Sequence, residues 1–132
     1  MANIKSLKMA DAISSNKNIE IKKSLWLRTK VTYTKTGSPV KISIFHFTGE
    51  AGEELVKLLH LPIAEIAEKM KGKTPFSPQS LGNVRIELCY SHDNQFAAAM
   101  AFRYTDFKYV PISEAMVYEG TDAETLIRLF RL

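Results

Sequence analysis

Trp26, Arg28 and Lys30, followed by Lys41, Phe45 and Phe47, place an indole, two phenyl rings and three cations in one strand-like stretch. Aromatic faces stack on bases and Lys/Arg neutralise phosphates, so such a set on one sheet surface fits single-stranded DNA or RNA. The grouping rests on strand alternation. With Leu25, Leu27, Val31 and Tyr33 facing the helices, Trp26, Arg28, Lys30 and Thr32 point away. With Ile42 and Ile44 inward, Lys41, Ser43, Phe45 and Phe47 join them. In the second half the same rule sets Arg85, Glu87, Cys89 and Ser91 outward, with Ala97, Ala99, Ala101 and Arg103. The expected binding face is therefore Trp26, Arg28, Lys30, Lys41, Phe45, Phe47, Arg85 and Arg103. The smooth alanine row favours close packing, so the competing expectation is a dimerising interaction or assembly module with this face buried.

Other chemistry-bearing residues carry less. Ala67–Thr74 satisfies a loose phosphate-loop pattern ending Gly72-Lys73-Thr74, but a helical pattern precedes it and Pro75 follows. Phosphate cradling needs a strand before the loop and a helix N-terminus after it. Ile63–Met70 could open a helix-turn-helix with Ser77–Val84 as recognition helix, yet Gly82 interrupts it and Val84–Tyr90 alternates as a strand. His46, His60, His92, Cys89 and Asp93 match no metal-ligand spacing. No nucleophile elbow, HExxH or carboxylate pair is present, so the expectation leans away from an enzyme and names no cofactor or metal.

The elements that must position these residues follow from periodicity. Ile19–Thr34 reads as a strand, Thr36-Gly37-Ser38-Pro39 as a turn, and Val40–Phe47 as a return strand that is apolar on both faces. A helix from Glu50 carries Leu55, Leu58, Leu59, Ile63, Ile66 and Met70 on one stripe, with a kink or a second short helix at Pro62. Val84–Tyr90 and Gln95–Tyr104 form a strand pair around His92-Asp93-Asn94. Phe107–Tyr118 is strand-like but broken at Pro111, and a last helix starts at Thr121 or Asp122.

Residues 47–59 echo residues 118–130 without gaps. Gly49/Gly120, Glu53/Glu124, Leu55/Leu126 and Leu58/Leu129 are identical. Each copy follows strands and opens a helix, which suggests an internal repeat. The expected fold class is α+β. It comprises an antiparallel sheet with helices on one face and two β-β-α halves, a single domain over 1–132. An N-terminal arm or short helix takes 1–18, the halves take 19–71 and 84–132, and 72–83 links them. In element order the arrangement resembles the PUR and whirly nucleic-acid-binding groups, whose repeats carry four strands, and equally the profilin-like roadblock arrangement of dimerising adaptors. No motif belongs to either group specifically.

Composition bounds these readings. The 132 residues suit one core, and no apolar run reaches the roughly 20 residues of a membrane span. No apolar segment follows Lys5 and Lys8 as a secretory signal requires. Cys89 is the only cysteine, so the expected location is cytoplasmic. Residues 1–41 hold nine Lys/Arg against Asp11 and Glu20, a charge of +7, while the rest is −3. That asymmetry points to an anionic partner and, with the strand faces, to a homodimer as the expected state.

Overall fold

The computed structural model describes residues 7–23, 29–71 and 82–130. The elements run α1 (Leu7–Ser14), β1 (Ile19–Lys23), β2 (Thr29–Tyr33), β3 (Ser38–Phe47), α2 (Gly49–Leu59), α3 (Ile63–Met70), β4 (Val84–Ser91), β5 (Phe96–Thr105), β6 (Lys108–Pro111), β7 (Met116–Glu119) and α4 (Thr121–Leu129). All strand pairs are antiparallel, in the order β1-β2-β3-β4-β5-β6, with β7 also on β5. The class is α+β, as the sequence implies.

The stretch read as one strand from Ile19 to Thr34 is a hairpin of β1 and β2, with Ile19 opposite Tyr33 and Lys23 opposite Thr29. Leu25, Trp26, Leu27 and Arg28, between them in sequence, lie outside the described residues. Gly37, at φ 72°, turns β2 into β3, a conformation that carries no Cβ penalty in glycine. Pro62 stops the helix as expected: α2 ends at Leu59, and α3 begins at Ile63 with Pro62 in the N-cap position. The run broken at Pro111 becomes β6 and β7, both on β5. The irregular stretch between them is tied by Ile112 N–H donating to Ala101 O (2.9 Å) and Ala101 N–H donating to Ser113 Oγ (2.9 Å).

Each sheet face has its own core. On one, α2, α3 and α4 bury Leu55, Leu59, Ile66 and Leu126 against Phe47, Val84, Ile86, Leu88, Ala97, Ala99 and Ala101. The alanines give α4 room, and Gly52 does the same for α2: a Cβ there would lie 2.5 Å from Val84 Cβ. On the other face α1 inserts Met9 and Ile13, both fully buried, against Ile19, Val31, Tyr33, Cys89, Phe96, Ala98 and Met100. The N-terminal segment thus supplies a docked helix.

The echoing segments enter their helices differently. Gly120 is the N-cap of α4 at φ 69°, whereas Thr48 caps α2 in extended conformation and Gly49 is already helical. Gly52 and Ala123, matched in that alignment, are the small residues that let each helix approach the sheet; Ala123 is fully buried.

A polar clasp joins the β1–β2 hairpin to β7. Glu119 accepts Tyr33 O–H (2.5 Å), Asn18 Nδ2–H (3.0 Å) and Asn16 Nδ2–H (3.3 Å), with Lys35 Nζ at 3.8 Å. The Tyr33 hydrogen bond, foremost, holds the Glu119 carboxyl below its ordinary range, while burial and Glu119 push the Tyr33 hydroxyl up to about 12. A carboxyl with a depressed folded pKa stabilises above its unfolded value and loses that contribution as pH falls through the folded one. A tyrosine with a raised folded pKa loses its contribution as pH rises above its unfolded value. Urea midpoints should therefore drop at both extremes. Glu119→Gln should flatten the acid limb, and Tyr33→Phe should cost about 1.5 kcal/mol at neutral pH. An acid limb unchanged in Glu119→Gln would show that the clasp does not couple to folding.

Candidate functional site

Cross-strand partners share a sheet face, so the register decides which side chains meet. Phe45 pairs with Ile86 and Phe47 with Val84, and Ile86 pairs with Ala101. Phe45, Phe47, Val84, Ile86, Ala97, Ala99 and Ala101 therefore lie together beneath the three helices. Phe47 is fully buried, and Phe45 stacks on Phe130 of the α4 terminus with centroids 5.2 Å apart. The outward placement of both phenylalanines and of the alanine row is corrected here: the alanines are small because helices sit on them.

Arg85 and Arg103 fall on opposite faces. Arg103 lies on the three-helix side, paired with Glu53 of α2. Arg85 lies on the α1 side, where its Nη2 is 2.9 Å from an oxygen of the fully buried Glu87. Its guanidinium carbon is 4.9 Å from the Phe102 ring centre and 4.4 Å from that of Tyr109. Tyr109 O–H donates to Gly82 O (3.1 Å) and meets His46 Nδ1 at 3.1 Å. Paired with Glu87 and packed against two rings, with its side chain 19% exposed, Arg85 serves mainly as a structural cation.

Cys89 is equally unreactive, since burial pushes its thiol up to about 12. Among the described residues no cluster of His, Cys, Asp and Glu could hold a metal ion. None of the described helices is long and apolar enough to cross a membrane.

Lys30 and Lys41 remain. Lys30 alternates with the buried Val31, so it faces the three-helix side, and its direct partner across the hairpin is Lys22. The β2–β3 register pairs Thr32 with Pro39 and ends there; Lys30 and Lys41, each two residues beyond that pair on its own strand, fall on the same face. Lys41 pairs with Tyr90, Tyr90 with Ala97, and Ala97 with Tyr118. The lysine row on this face thus comprises two register lines, Lys22–Lys30 and Lys41–Tyr90–Ala97–Tyr118. At about 4.8 Å per strand step the second spans about 14 Å.

The lysines are exposed and the two tyrosines half-buried at the margin of the helix-covered core. Like charges directly opposite each other weaken a strand pair, so Lys22 facing Lys30 is a local cost that the hairpin carries. Glu20 offers Lys22 a contact of 3.6 Å between side chains 51% and 71% exposed, too solvated to cancel it. At the other end, burial and then the Asp122 charge hold the Tyr118 hydroxyl above its ordinary value. The row is therefore cationic over β1–β3 and loses that character toward α4.

Lys30 and Lys41 are the members of the expected set that the structure leaves exposed on one face. Trp26 and Arg28 fall outside the described residues. Lys22, Tyr90 and Tyr118 were missed. Recognising the hairpin hidden in Ile19–Thr34 would have paired Lys22 with Lys30, and the Tyr90–Ala97 register would have extended the row.

Comparisons with protein-family models, curated proteins and solved structures find no match.

The contrast between the internal arginine and the free lysines is measurable. Arg85→Ala leaves a buried carboxylate without its cation and should cost about 3 kcal/mol or more in urea unfolding. Lys30→Ala should not lower the midpoint and should raise it slightly, because it relieves the repulsion from Lys22. A neutral Arg85→Ala would return that cation to the candidate surface residues.

Proposed function

We propose that this protein is a small non-enzymatic binding protein that takes single-stranded DNA or RNA along the Lys22–Lys30–Lys41–Tyr90 row. The supporting observation is like charge gathered on one face: Lys22 and Lys30 are direct cross-strand partners, Lys41 is exposed on the same face, and half-buried aromatic rings continue from Lys41 across the sheet. Each lysine neutralises one phosphate, and a base stacks at the exposed edge of Tyr90.

Asp122 near Tyr118 repels a phosphate there, so the nucleic-acid backbone keeps to the β1–β3 side. No base-edge donor is prominent on the row, and recognition is therefore weakly dependent on sequence. Trp26 and Arg28, which lie in sequence between β1 and β2, belong to the same proposal as further stacking and phosphate contacts. A cytoplasmic setting, in which the lone thiol stays reduced, is part of this reading.

A labelled single-stranded oligonucleotide followed by anisotropy across a salt series tests it. Three single-strand phosphate contacts give a slope of about −2 in log K against log salt. Lys22→Ala, Lys30→Ala and Lys41→Ala combined should remove that slope. Tyr90→Leu, which keeps the apolar packing, should weaken binding about tenfold with the slope intact. Absence of wild-type binding at low salt would sink the proposal, as would an unchanged slope in the triple variant.

A further inference from the structure

We infer that two copies of this chain join edge to edge along β1, in the antiparallel register that sets Ile21 against the other copy's Ile21. β1 ends the strand order and, among the described residues, pairs with β2 alone. At the opposite end β6 has four residues, with Lys108 and Pro111 blunting it, whereas the five residues of β1 include no proline.

Hydrogen-bond parity decides what that edge offers. Asn18 O accepts Thr34 N–H (2.7 Å) just ahead of the Ile19–Tyr33 pair. Antiparallel partners alternate between pairs that exchange hydrogen bonds and pairs that do not. Glu20–Thr32 and Lys22–Lys30 are therefore bonded pairs, and the main chains of Ile19, Ile21 and Lys23 turn toward the open edge. Ile19 N–H is already donated to Asn16 O (3.0 Å), which leaves its carbonyl as the free acceptor. A second β1 running the other way matches these groups. The two Ile21 residues exchange N–H and C=O, and each Lys23 N–H donates to the other copy's Ile19 O.

The occupant is another β1 because the strand is complementary to itself. In this register Glu20 faces the other copy's Lys22, and Lys22 faces the other copy's Glu20, as a twofold axis requires. These side chains are exposed and share one sheet face. A slide of two residues, the smallest that keeps the main-chain parity, opposes Glu20 to Glu20 in one direction and Lys22 to Lys22 in the other. Like charges directly opposite are unfavourable, so a single register is selected. Lys22, which faces Lys30 inside the hairpin, thereby gains an opposite charge on its outer side, while the half-buried Ile21 side chains meet on the α1 face. Five residues per copy is short of the about 20–30 per side of a standard interface, so the dimer is weak and concentration-dependent. The inference is independent of nucleic-acid binding, and the dimer would carry the lysines of both copies on one continuous sheet face.

Sedimentation velocity without nucleic acid, from micromolar to millimolar protein, reads the outcome. The wild type should shift from monomer to dimer. Ile21→Pro removes the outward donor and no β1–β2 hydrogen bond, and should weaken association at least tenfold. Glu20→Lys and Lys22→Glu should each weaken self-association about tenfold, yet associate when mixed one to one, because every charge then faces its opposite. Lys22→Glu also relieves the repulsion from Lys30, so its lost association does not come from a weakened hairpin. A wild type monomeric throughout would overturn the inference. So would association unaffected by Ile21→Pro, or no recovery on mixing.

Discussion

The register of β3 on β4 and of β4 on β5 is the constraint on which everything else depends. Phe47 opposite Val84, and Val84 opposite Arg103, fix the parity of three long strands at once. Because side chains alternate with a period of two, a slip of one residue would exchange the two cores. Phe47 would leave the three helices and Phe96 would leave α1. Other features inherit this choice: where the alanines lie, which arginine meets which glutamate, and which face Lys41 shares with Tyr90.

Both faces of this sheet are apolar, which makes the register costly to lose and hard to read. A strand with one wet face declares its parity by alternation. β3 does not, because Ile42 and Ile44 on one face are matched by Phe45 and Phe47 on the other. β5 is equally silent, since Phe96–Phe102 is buried at every position. The element types, the turns at Gly37 and His92-Asp93-Asn94, and the stop at Pro62 were legible because turn and cap chemistry is local. The facing of the central strands was not, because it depends on partners far along the chain. The β1–β2 hairpin stayed hidden for another reason: Ser24–Arg28 contains no Gly, Pro, Asn or Asp to mark a break.

The two strand arginines are paired differently on the two sides of the core. Arg85 and Arg103 are each met by a carboxylate, Glu87 and Glu53. A guanidinium on a largely covered sheet face requires a partner and gains from adjacent rings, and Arg85 has both. Arg85 is thereby committed to packing, whereas the Arg103–Glu53 pair, 39% and 44% exposed, sits at the surface. The lysines on β1, β2 and β3 lie beyond the reach of α2–α4 and have no such obligation. The basic character of residues 1–41 is thus expressed as surface charge, while Arg85 on β4 is spent in packing.

With helices on both faces, the surface open for recognition is confined to margins. One margin is the end of the sheet past the helices, where Lys22, Lys30, Lys41 and Tyr90 share a face. Another is the β5–β6 tip, where Phe107 stands clear of the core. The two carry opposite chemistries because their strands have different duties. β1 is an outer strand, and lysines there deter off-register edge pairing as well as attract anions, so a single substitution pattern serves both ends. β5 is central and buried over most of its length, and it becomes free to expose aromatic side chains only after it passes Arg103. The strand that organises the core therefore also delivers the apolar tip, and the strand at the rim delivers the charge.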